Sequence, residues 1–444
     1  MTDFVQRALR PERYDWPVRS LMDIDFYKLL MFQFVHTHYP DVPVTFSLIN
    51  RATHIPVARI VPEVELRAAL DHVRSLRFTR TDLTYVRGLD VYGAQLFTEE
   101  TLTALAQLHL PAYELRVVGD QYELTFSGTW PEVMLWETMA LAVVSQLYFQ
   151  HLTFKMSEFE LEHVFATAKL KLWRDLSQLQ EEPELRFADF GQRRRMSFLW
   201  HQYVMRLSKH MMGEQLAGIS NTYFAFENNF VPIGTNAHEL QMVTAALARS
   251  DETLRDGQFE ICRQWFSMFG RPLSILLTDT FGSWQFFKNA PADLAVNSRG
   301  VRQDSGDPFA FGERVIEWYR EHGQDPREKL IIFSDGLTAP KMLELHRHFA
   351  GRIGTSFGWG THLTNGFADT HPYPDQAVPG LDGITWDEAF RPFSLVCKVT
   401  AANGRPAVKL SDNPGKATGD PDEVNRYRAV FHAEQGQSRQ AVEV

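Results

Sequence analysis

The sequence predicts an α/β protein whose second half alternates parallel strands with helices. Three short apolar runs at residues 273–279, 330–335 and 352–358 carry this prediction, and helical stretches separate them. Each run ends in small or polar residues, as parallel strands do at the edge of the sheet where functional groups collect. The pattern therefore places Asp279, Asp335 and a glycine-rich loop at one edge of the sheet.

The first part of the chain mixes helices with strands. Residues 21–38 fit an amphipathic helix, and helical periodicity also covers 61–76, 132–150, 155–181 and 195–212. A strand is expected at 44–51, and a hairpin at 113–118 and 122–126 with its turn at Gly119-Asp120. Near the C-terminus, strands at 393–399 and 406–410 flank a turn at Asn403-Gly404, and the Pro- and Asp-rich stretch 371–387 fits an ordered surface loop.

The length of 444 residues exceeds what a single hydrophobic core usually supports. The last strands are expected to rejoin the first domain. We therefore predict an α/β flanking domain built from both chain ends, residues 1–130 plus 391–444. Beside it we predict a barrel domain over residues 131–390, with a helical segment leading into it.

The composition excludes several classes of protein. Hydrophobic residues make up 44% and charged residues 23%, which is typical of a folded globular protein and not of a disordered one. The formal net charge of −10 disfavours a general nucleic-acid or anionic-membrane surface. Two distant cysteines, Cys262 and Cys397, indicate neither a disulfide framework nor a zinc site. Residues 1–10 lack a signal-peptide core, and Glu137 interrupts the richest apolar run, so we expect a cytoplasmic protein.

The segment FVPIGTNAHE at 230–239 places His238 after a Gly234-Thr235 turn. Imidazole titrates near neutrality and can act as a nucleophile toward a phosphoryl group, and turn N–H groups can face an anion. The alternative is a hydrogen-bonded structural histidine. The sequence around it does not decide between the two roles.

Two further motifs suit a phosphorylated sugar. In GVRQDSGDP at 300–308, Asp304 and Asp307 can accept hydrogen bonds from sugar hydroxyls or organise Mg²⁺, and Arg302 can make a bidentate contact to an anion. The alternative is a surface turn with an ion pair. In SFGWGTHLTN at 356–365, Gly358, Gly360 and Thr361 can bring backbone N–H groups close to a phosphate, unless these glycines serve only packing.

A third motif combines an aromatic ring with three arginines. In FADFGQRRR at 187–195, Phe190 can stack on a flat ring, and Arg193 can pair with an attached phosphate. The solvent-exposed beginning of a helix would explain the same residues.

The pair His36-Thr-His38 matches the H-x-H motif of barrel-type metallohydrolases. However, side chains at i and i+2 share a face only on a strand, and this pair ends a helical pattern. The two imidazoles are therefore expected to diverge, and the dipole at a helix C-terminus gives His a simpler reason to be there.

Seven segments, in this order, resemble the nicotinate phosphoribosyltransferase family of NAD salvage. They are DFYKLLM (25–31), DFGQR (189–193), GISN (218–221), GTNAHE (234–239), GVRQDSGD (300–307), FSD (333–335) and FGWGT (357–361). The resemblance implies an irregular, incompletely closed (β/α) barrel of the type II phosphoribosyltransferases with a flanking α/β domain. It also implies a homodimer with active sites at the subunit boundary.

The same resemblance implies an activity. Nicotinate and phosphoribosyl pyrophosphate would give nicotinate mononucleotide and pyrophosphate, with ATP hydrolysis coupled through a phosphohistidine and Mg²⁺ as cofactor. His238 would be the phosphohistidine, and Asp279 would orient its imidazole.

The resemblance further implies how the substrates are held. Phe190 and a Tyr27 supplied by the partner subunit would sandwich the pyridine ring, with Arg302 near the pyridine and ribose. Arg193 would hold the 5′-phosphate together with the loop residues Gly358, Gly360 and Thr361. Asp304 and Asp335 would take ribose hydroxyls and help to organise Mg²⁺–pyrophosphate.

Ser220 is expected to favour the acid over the amide, because the similar nicotinamide-using enzymes have an aspartate at the corresponding place. Two positions depart from the family pattern: Ile219 stands where threonine is expected, and Gly366 where aspartate is common. A nicotinamide phosphoribosyltransferase and a non-catalytic binding paralogue remain the alternatives.

Overall fold

The computed structural model describes residues 16–431. Residues 1–10, in which the sequence shows no signal-peptide pattern, and the outer ends of the predicted flanking domain lie outside the described residues. Numbered in chain order, the strands are β1 (Pro43–Asn50), β2 (Tyr113–Val118), β3 (Gln121–Thr129), β4 (Phe187–Asp189), β5 (Leu216–Ile219), β6 (Ile275–Leu277), β7 (Gly300–Gln303), β8 (Leu330–Phe333), β9 (Gly354–Trp359), β10 (Leu395–Ala402) and β11 (Arg405–Pro406).

The α-helices surround these strands. They are α1 (Phe26–His38), α2 (Val57–Ile60), α3 (Glu63–Ser75), α4 (Arg80–Arg87), α5 (Glu99–Gln107), α6 (Trp130–Val133), α7 (Trp136–Thr153), α8 (Glu158–Leu179), α9 (Phe198–Met212), α10 (Thr222–Asn228), α11 (Glu239–Leu247), α12 (Asp251–Phe269), α13 (Ser283–Asn289), α14 (Ala292–Asn297), α15 (Pro308–Glu321), α16 (Ala339–Phe349), α17 (Thr361–Thr364), α18 (Trp386–Phe390) and α19 (Pro421–Phe431). The four helices expected from periodicity between residues 61 and 212 are confirmed.

The strands form two sheets of different kinds. A six-stranded parallel sheet has the order β5-β4-β9-β8-β7-β6, and its strands alternate with helices along the chain. A five-stranded antiparallel sheet has the order β11-β10-β1-β3-β2. Strands β5 and β6 form the two ends of the parallel sheet and do not pair with each other among the described residues, so the sheet is open between them, as an incompletely closed barrel would be. The predicted α/β class is confirmed.

The antiparallel sheet joins distant parts of the chain. Strand β10 pairs with β1 over seven residue pairs, which confirms that the last strands return to the first part of the chain. The β2–β3 hairpin is also confirmed, with Gly119 at φ 59° in its turn, where glycine is favoured. The division into domains at residues 130 and 390 stays a prediction.

Helix α1 differs from the expectation. It begins at Phe26 and not at residue 21, and its first ten residues are all buried, including Lys28. An amphipathic helix would leave one face in water. Helix α1 is therefore a core helix, and its only exposed residues lie in the last turn, which carries His36 and His38.

The second C-terminal strand is much shorter than expected. Only Arg405–Pro406 pairs with β10, whereas Lys409 pairs with Thr418. The backbone N–H of Leu410 donates to the carbonyl of Thr280 at 2.8 Å, just after β6. The chain leaves the antiparallel sheet here because it crosses to the parallel one. This crossing brings the C-terminal segment to the edge where the functional residues lie.

Candidate active site

A cavity lies at the edge of the parallel sheet where the strands end. Its wall combines residues that follow β4, β7, β8 and β9 with residues from β10 and the segment after β11. Ten of the twelve predicted site residues line it: Tyr27, Phe190, Arg193, His238, Arg302, Asp304, Asp335, Gly358, Gly360 and Thr361. The other two, Asp279 and Ser220, are buried outside the lining.

The cavity is rich in cations although the chain is acidic. Seven cationic side chains line it (Arg51, Arg193, Arg194, Arg302, Lys398, Lys409 and Lys416), against three acidic ones (Glu137, Asp304 and Asp335). A chain of net charge −10 concentrates positive charge here. Such a cavity attracts anions such as carboxylates and phosphates.

His238 stands at the start of α11, immediately before Glu239, and is almost fully buried. Its Nδ1 lies 2.9 Å from the hydroxyl of Thr280. Its Nε2 lies 2.8 Å from Asp304 Oδ2 and 2.8 Å from Lys409 Nζ. Nε2 is therefore the nitrogen on the cavity side. The adjacent Asn236 and Ala237 line the cavity, whereas the predicted Gly234-Thr235 turn does not.

The geometry differs from the expected partnership of His238 with Asp279. Asp279 Oδ1 is 3.6 Å from His238 Nε2 and makes no hydrogen bond, whereas Asp304 lies within hydrogen-bond distance. The other oxygen of Asp279 accepts from Ser305 at 2.6 Å and lies 3.3 Å from Lys409. Asp279 is thus held by Ser305 and Lys409, and Asp304 is the carboxylate in contact with the imidazole.

The surroundings keep the imidazole neutral. Burial, and then the positive charge of Lys409, lower the pKa of His238 to about 4. Burial alone would raise the pKa of Asp304, but its contacts with His238, Arg302 and Lys409 hold it well below the usual value. At neutral pH His238 therefore carries a lone pair on one ring nitrogen, as a nucleophile requires.

The donor set of His238, Asp279 and Asp304 could also hold a metal ion, since its ligand atoms lie within 4.8 Å of one another. However, the ammonium of Lys409 lies within 3.8 Å of all three side chains. A divalent cation there would have to displace Lys409.

His36 and His38 lie in the last turn of helix α1, as expected. Each packs against the aromatic ring four residues before it, Phe32 and Phe34 respectively.

Tyr27 and Phe190 belong to the same chain and both line the cavity. The expectation that a partner subunit supplies this ring stays a prediction, and Tyr27 of the same chain already lies at the cavity. The reason is local: the N–H of Phe26 donates to the carbonyl of Ser220 at 2.6 Å, which fixes the start of α1 beside the end of β5. Gly234 permits this approach, because a Cβ there would lie 2.7 Å from the backbone nitrogen of Tyr27.

Ser220 does not reach the cavity wall. Its side chain is fully buried and lies against the carboxyl group of Asp25. Burial raises the pKa of Asp25, and the charge of Arg193 and the Ser220 hydroxyl act against that rise. The structure thus gives Ser220 no contact from which to select between an acid and an amide in the cavity.

Comparison with known proteins gives the family. The model of the nicotinate phosphoribosyltransferase family matches residues 185–435, and the model of the family's N-terminal domain matches residues 22–145. The chain belongs to the nicotinate phosphoribosyltransferase family. The longer match alone covers more than half of the chain.

Solved structures of nicotinate phosphoribosyltransferases are similar over nearly the whole chain. The enzyme from Vibrio cholerae is 32% identical, with a TM-score of 0.82 and 95% of each chain covered. The enzyme from Porphyromonas gingivalis is 27% identical, with a TM-score of 0.76, and covers 94% of this chain and 100% of its own. A putative nicotinate phosphoribosyltransferase from Saccharomyces cerevisiae is 25% identical, with a TM-score of 0.75 and coverage of 94% and 99%.

The two departures from the nicotinate phosphoribosyltransferase pattern lie outside the cavity lining. Ile219 is fully buried in the hydrophobic core, so its position gives no hydroxyl to the cavity. Gly366 comes after α17, and a Cβ there would lie 3.2 Å from the carbonyl oxygen of His362. Neither residue contributes to the cavity wall.

No sequence motif indicates the lysines of the C-terminal segment. Lys409 contacts His238, and Lys416 pairs with Asp335. Arg51 donates to the carbonyl of Lys416 at 3.0 Å and to Thr418 at 2.9 Å, and so anchors this segment. These residues lie more than 70 positions from their acidic or histidine partners, and no motif of known spacing connects them. In this family member the C-terminal segment closes one side of the site.

Proposed function

We propose that this chain is a nicotinate phosphoribosyltransferase that couples ATP hydrolysis to synthesis through a phosphohistidine at His238. The observation that carries the proposal is the cationic cavity with a neutral, buried imidazole at its wall. The family supports the substrates nicotinate and phosphoribosyl pyrophosphate, and the products are nicotinate mononucleotide and pyrophosphate. ATP and water give ADP and phosphate in the coupled reaction.

The transfer step exchanges one bond at C1′. The ring nitrogen of nicotinate forms a bond to C1′ as the bond from C1′ to the pyrophosphate oxygen breaks, and the electron pair leaves with pyrophosphate. Positive charge develops on the ribose ring, so stabilisation of the leaving group and positioning of the nitrogen carry the catalysis. The ring nitrogen already has a lone pair, and no general base is needed.

The substrate roles follow from the positions around the cavity. Tyr27 and Phe190 would hold the pyridine ring between them, and Arg302 would face the nicotinate carboxylate and the ribose. Arg302 is fixed for this role because its guanidinium donates to the carbonyl of Asn236 at 2.8 Å.

The 5′-phosphate would bind to a second group of residues in the cavity wall. Arg193 and the loop from Gly358 to Thr361 would hold it. Gly358 suits close packing, because a Cβ there would lie 3.3 Å from both the Phe190 ring and Ser334. The glycine thus lets the phosphate loop and the stacking ring share one wall.

Mg²⁺ fits as an ion that arrives with pyrophosphate. Mg²⁺ usually binds one or two carboxylates together with substrate phosphates and water. Asp304 and Asp335, both in the cavity wall, would hold it, and it would neutralise charge on the leaving group. The hydroxyl of Ser334 donates to Asp304 at 2.9 Å and Lys416 pairs with Asp335, so both carboxylates are already positioned.

The phosphohistidine would form at Nε2. This nitrogen attacks the γ-phosphorus of ATP, the bond to the ADP oxygen breaks, and water later cleaves the N–P bond to release phosphate. A lone pair at Nε2 requires that its contact with Asp304 opens, and Lys409 is then placed to pair with the phosphoryl oxygens. The added charge would alter the affinity for substrates at the same cavity, which couples the two reactions.

The choice of nicotinate over nicotinamide rests on the cavity's charge and not on Ser220. Seven cations against three carboxylates favour a carboxylate ligand over a neutral amide. Steady-state assays with both compounds decide between them, and a preference for the amide would contradict this assignment.

We also propose that the protein is a cytoplasmic homodimer. Among residues 16–431, no helix is both long enough and apolar enough to cross a membrane. Because Tyr27 lines the cavity of its own chain, the proposed dimer is not needed to bring this ring to the site.

Replacing His238 by Ala tests the coupling. We expect nicotinate-dependent ATP hydrolysis to disappear, and mass spectrometry to find no phosphate at position 238, while slow uncoupled formation of nicotinate mononucleotide continues. His210→Ala, at an exposed position in the last turn of α9, is the matched control and should couple normally. Full coupling in His238→Ala would refute the phosphohistidine. Absence of any nicotinate mononucleotide from the wild-type protein would favour a non-catalytic binding paralogue.

A further inference from the structure

The turn that follows β4 is held by a buried carboxylate. Asp189 is the last residue of the strand, and its side chain is fully buried. Its Oδ1 accepts a hydrogen bond from the N–H of Gly191 at 2.8 Å and so closes a short ring around Phe190. Its Oδ2 lies 3.0 Å from Nε2 of His201. The two oxygens of Asp189 thus connect the turn that carries Phe190 to helix α9.

The backbone on both sides of Phe190 is fixed as well. Its N–H donates to the carbonyl of Trp359 at 2.8 Å, and the hydroxyl of Thr364 donates to the carbonyl of Gly191 at 2.9 Å. Gly191 packs so closely against Thr364 that there is no room for a Cβ. Phe190 and Gly191 line the cavity, whereas Asp189 and Thr364 lie behind them. The position of the Phe190 ring is therefore set from behind the cavity wall.

His201 is a buried histidine that no step of the proposed reaction uses. Its side chain is fully buried on α9, and its ring lies edge-on against Phe224 with the ring centroids 4.9 Å apart. Its Nδ1 is buried without a hydrogen-bond partner in the part of the chain that the structure describes, and this burial costs free energy. Its one polar contact there is the contact between Nε2 and Asp189, and since a carboxylate oxygen accepts, Nε2 is the donor.

We propose that His201 is a positioning residue for the aromatic substrate. By donating to Asp189 it fixes the carboxylate, the carboxylate fixes the turn, and the turn places the Phe190 ring where a pyridine ring can stack on it. This inference rests on the proposed function, because the stacking role of Phe190 comes from there. It adds a residue that lies outside every sequence motif of the site.

A structural role and a positioning role of His201 predict different kinetics. If His201 only stabilised the fold, its loss would reduce the amount of folded protein, so the apparent kcat would fall and both KM values would stay the same. If His201 positions Phe190, nicotinate is bound less tightly in the ground state and in the transition state alike, so KM for nicotinate rises while kcat changes little. The proposed 5′-phosphate contacts come from other groups, so KM for phosphoribosyl pyrophosphate should change much less.

Steady-state kinetics on the full-length chain test the proposal. We expect His201→Leu to raise KM for nicotinate by about tenfold, because it leaves Oδ2 of Asp189 buried without a donor, and to keep KM for phosphoribosyl pyrophosphate within about twofold. His201→Gln keeps an N–H donor, so its KM for nicotinate should stay within about threefold of the wild-type value. His210→Ala, at an exposed position on the same helix, is the matched control. An unchanged KM for nicotinate in His201→Leu, or a loss confined to kcat, would overturn the inference.

Thr364 gives a second test, which does not depend on the folding of His201→Leu. Thr364→Val keeps the size of the side chain but removes the donor to the carbonyl of Gly191, and we expect it to raise KM for nicotinate by about fivefold. Thr364→Ser keeps the hydroxyl and should behave as the wild type does. Combined with His201→Leu, the effect of Thr364→Val should be smaller than the product of the two single effects, because both changes act on one turn. Effects that multiply in full would contradict the proposal, since His201 would then act elsewhere.

Hydrogen exchange separates this inference from the proposed function. The N–H of Gly191 is buried and bonded to Asp189, and mass spectrometry of peptides that span residues 187–196 follows its exchange. We expect exchange to be about tenfold faster in His201→Leu than in the wild type and in His210→Ala. Faster exchange in a protein that forms no nicotinate mononucleotide supports the hold of His201 on the turn and contradicts only the proposed activity. An active protein in which His201→Leu leaves this exchange unchanged would refute the positioning role.

Discussion

Two buried charge clusters lie side by side at the start of α11, and they differ in how fully their groups are paired. The closed cluster consists of Lys28, Trp130, Glu137, Glu239 and Lys398. Its centre is Lys28, whose Nζ lies 2.6 Å from Glu137 and 2.5 Å from Glu239. Trp130 donates its indole N–H to the other oxygen of Glu239 at 2.5 Å. In this cluster each carboxylate has a cation and a further partner.

The histidine cluster consists of His238, Asp279, Asp304 and Lys409, and it is incompletely paired. Two groups compete for Nε2 of His238, although a neutral imidazole nitrogen can either donate or accept but not both. One oxygen of Asp279 has no hydrogen-bond partner. Fully paired buried groups fix one structure, whereas unsatisfied groups beside a cavity keep capacity for a ligand. We therefore assign His238 to the proposed reaction and the next residue, Glu239, to stability.

The largest expected effect comes from breaking the closed cluster. Lys28→Met leaves Glu137 and Glu239 buried without their common cation, and we expect it to lower the free energy of unfolding by about 3–5 kcal/mol. At present Lys28, helped by Lys398 and Arg193, outweighs the effect of burial and holds the pKa of Glu137 below its usual value. Urea unfolding monitored by circular dichroism measures the change.

The double variant Lys28→Met with Glu239→Gln is the control for this prediction. It removes one of the two carboxylates that have lost Lys28, and it should recover part of the lost free energy of unfolding. A stability loss under 1 kcal/mol in Lys28→Met would show that the closed cluster does not have the structural role assigned to it.

Breaking the histidine cluster should affect chemistry more than stability. Lys409→Met removes the cation placed to pair with the phosphoryl oxygens, and we expect phosphohistidine formation to slow by about 10- to 100-fold, or roughly 1.4–2.8 kcal/mol in the barrier. Rapid quench with γ-labelled ATP measures this rate. Lys409→Arg keeps the charge and should retain much more of the rate.

The pH dependence of this rate gives a second test of the role of Lys409 in the histidine cluster. Burial and Lys409 lower the pKa of His238 to about 4, so protonation should not limit the wild type between pH 5 and 7. Without Lys409 the pKa of His238 rises, although burial still lowers it, and the rate in Lys409→Met should begin to fall at a higher pH than in the wild type. An acid limb at the same pH in both proteins would contradict the role of Lys409.

The residues carried by short motifs could be predicted from the sequence. Arg302 lies in β7 and Asp304 follows this strand, Phe190 follows β4, and Gly358 lies near the end of β9. The βα pattern alone therefore brings their motifs to one edge of the sheet. The fold class followed from the same alternation. Helix α1 was misjudged as amphipathic because its polar residues, such as Lys28, are buried in pairs with distant carboxylates.

The remaining part of the site depends on contacts between distant segments. Lys409 reaches His238 across 171 positions, and Lys416 reaches Asp335 across 81. A strand was expected at 406–410, whereas the chain turns toward Thr280 to bring these lysines to the cavity. Ser220 is the opposite case. The motif predicts that Ser220 lies near the pyridine ring, whereas in the fold its side chain faces Asp25. Local periodicity does not contain this information.

The smallest expected effect concerns Asp412, which lies behind the histidine cluster. Burial, and then the nearby Asp279, raise the pKa of Asp412 to about 6, so the folded state holds this proton more tightly than the unfolded chain does. Ionisation of Asp412 therefore costs stability, and this cost grows as the pH rises from about 4 through 6. Asp412→Asn removes the charge and keeps an oxygen that can accept from the N–H of Ser283. We expect the variant to be more stable than the wild type at pH 8, by on the order of 1 kcal/mol, and nearly equal at pH 4. Thermal unfolding across this range measures the difference, and a difference that does not change with pH would show that Asp412 is not strained by its neighbours in the histidine cluster.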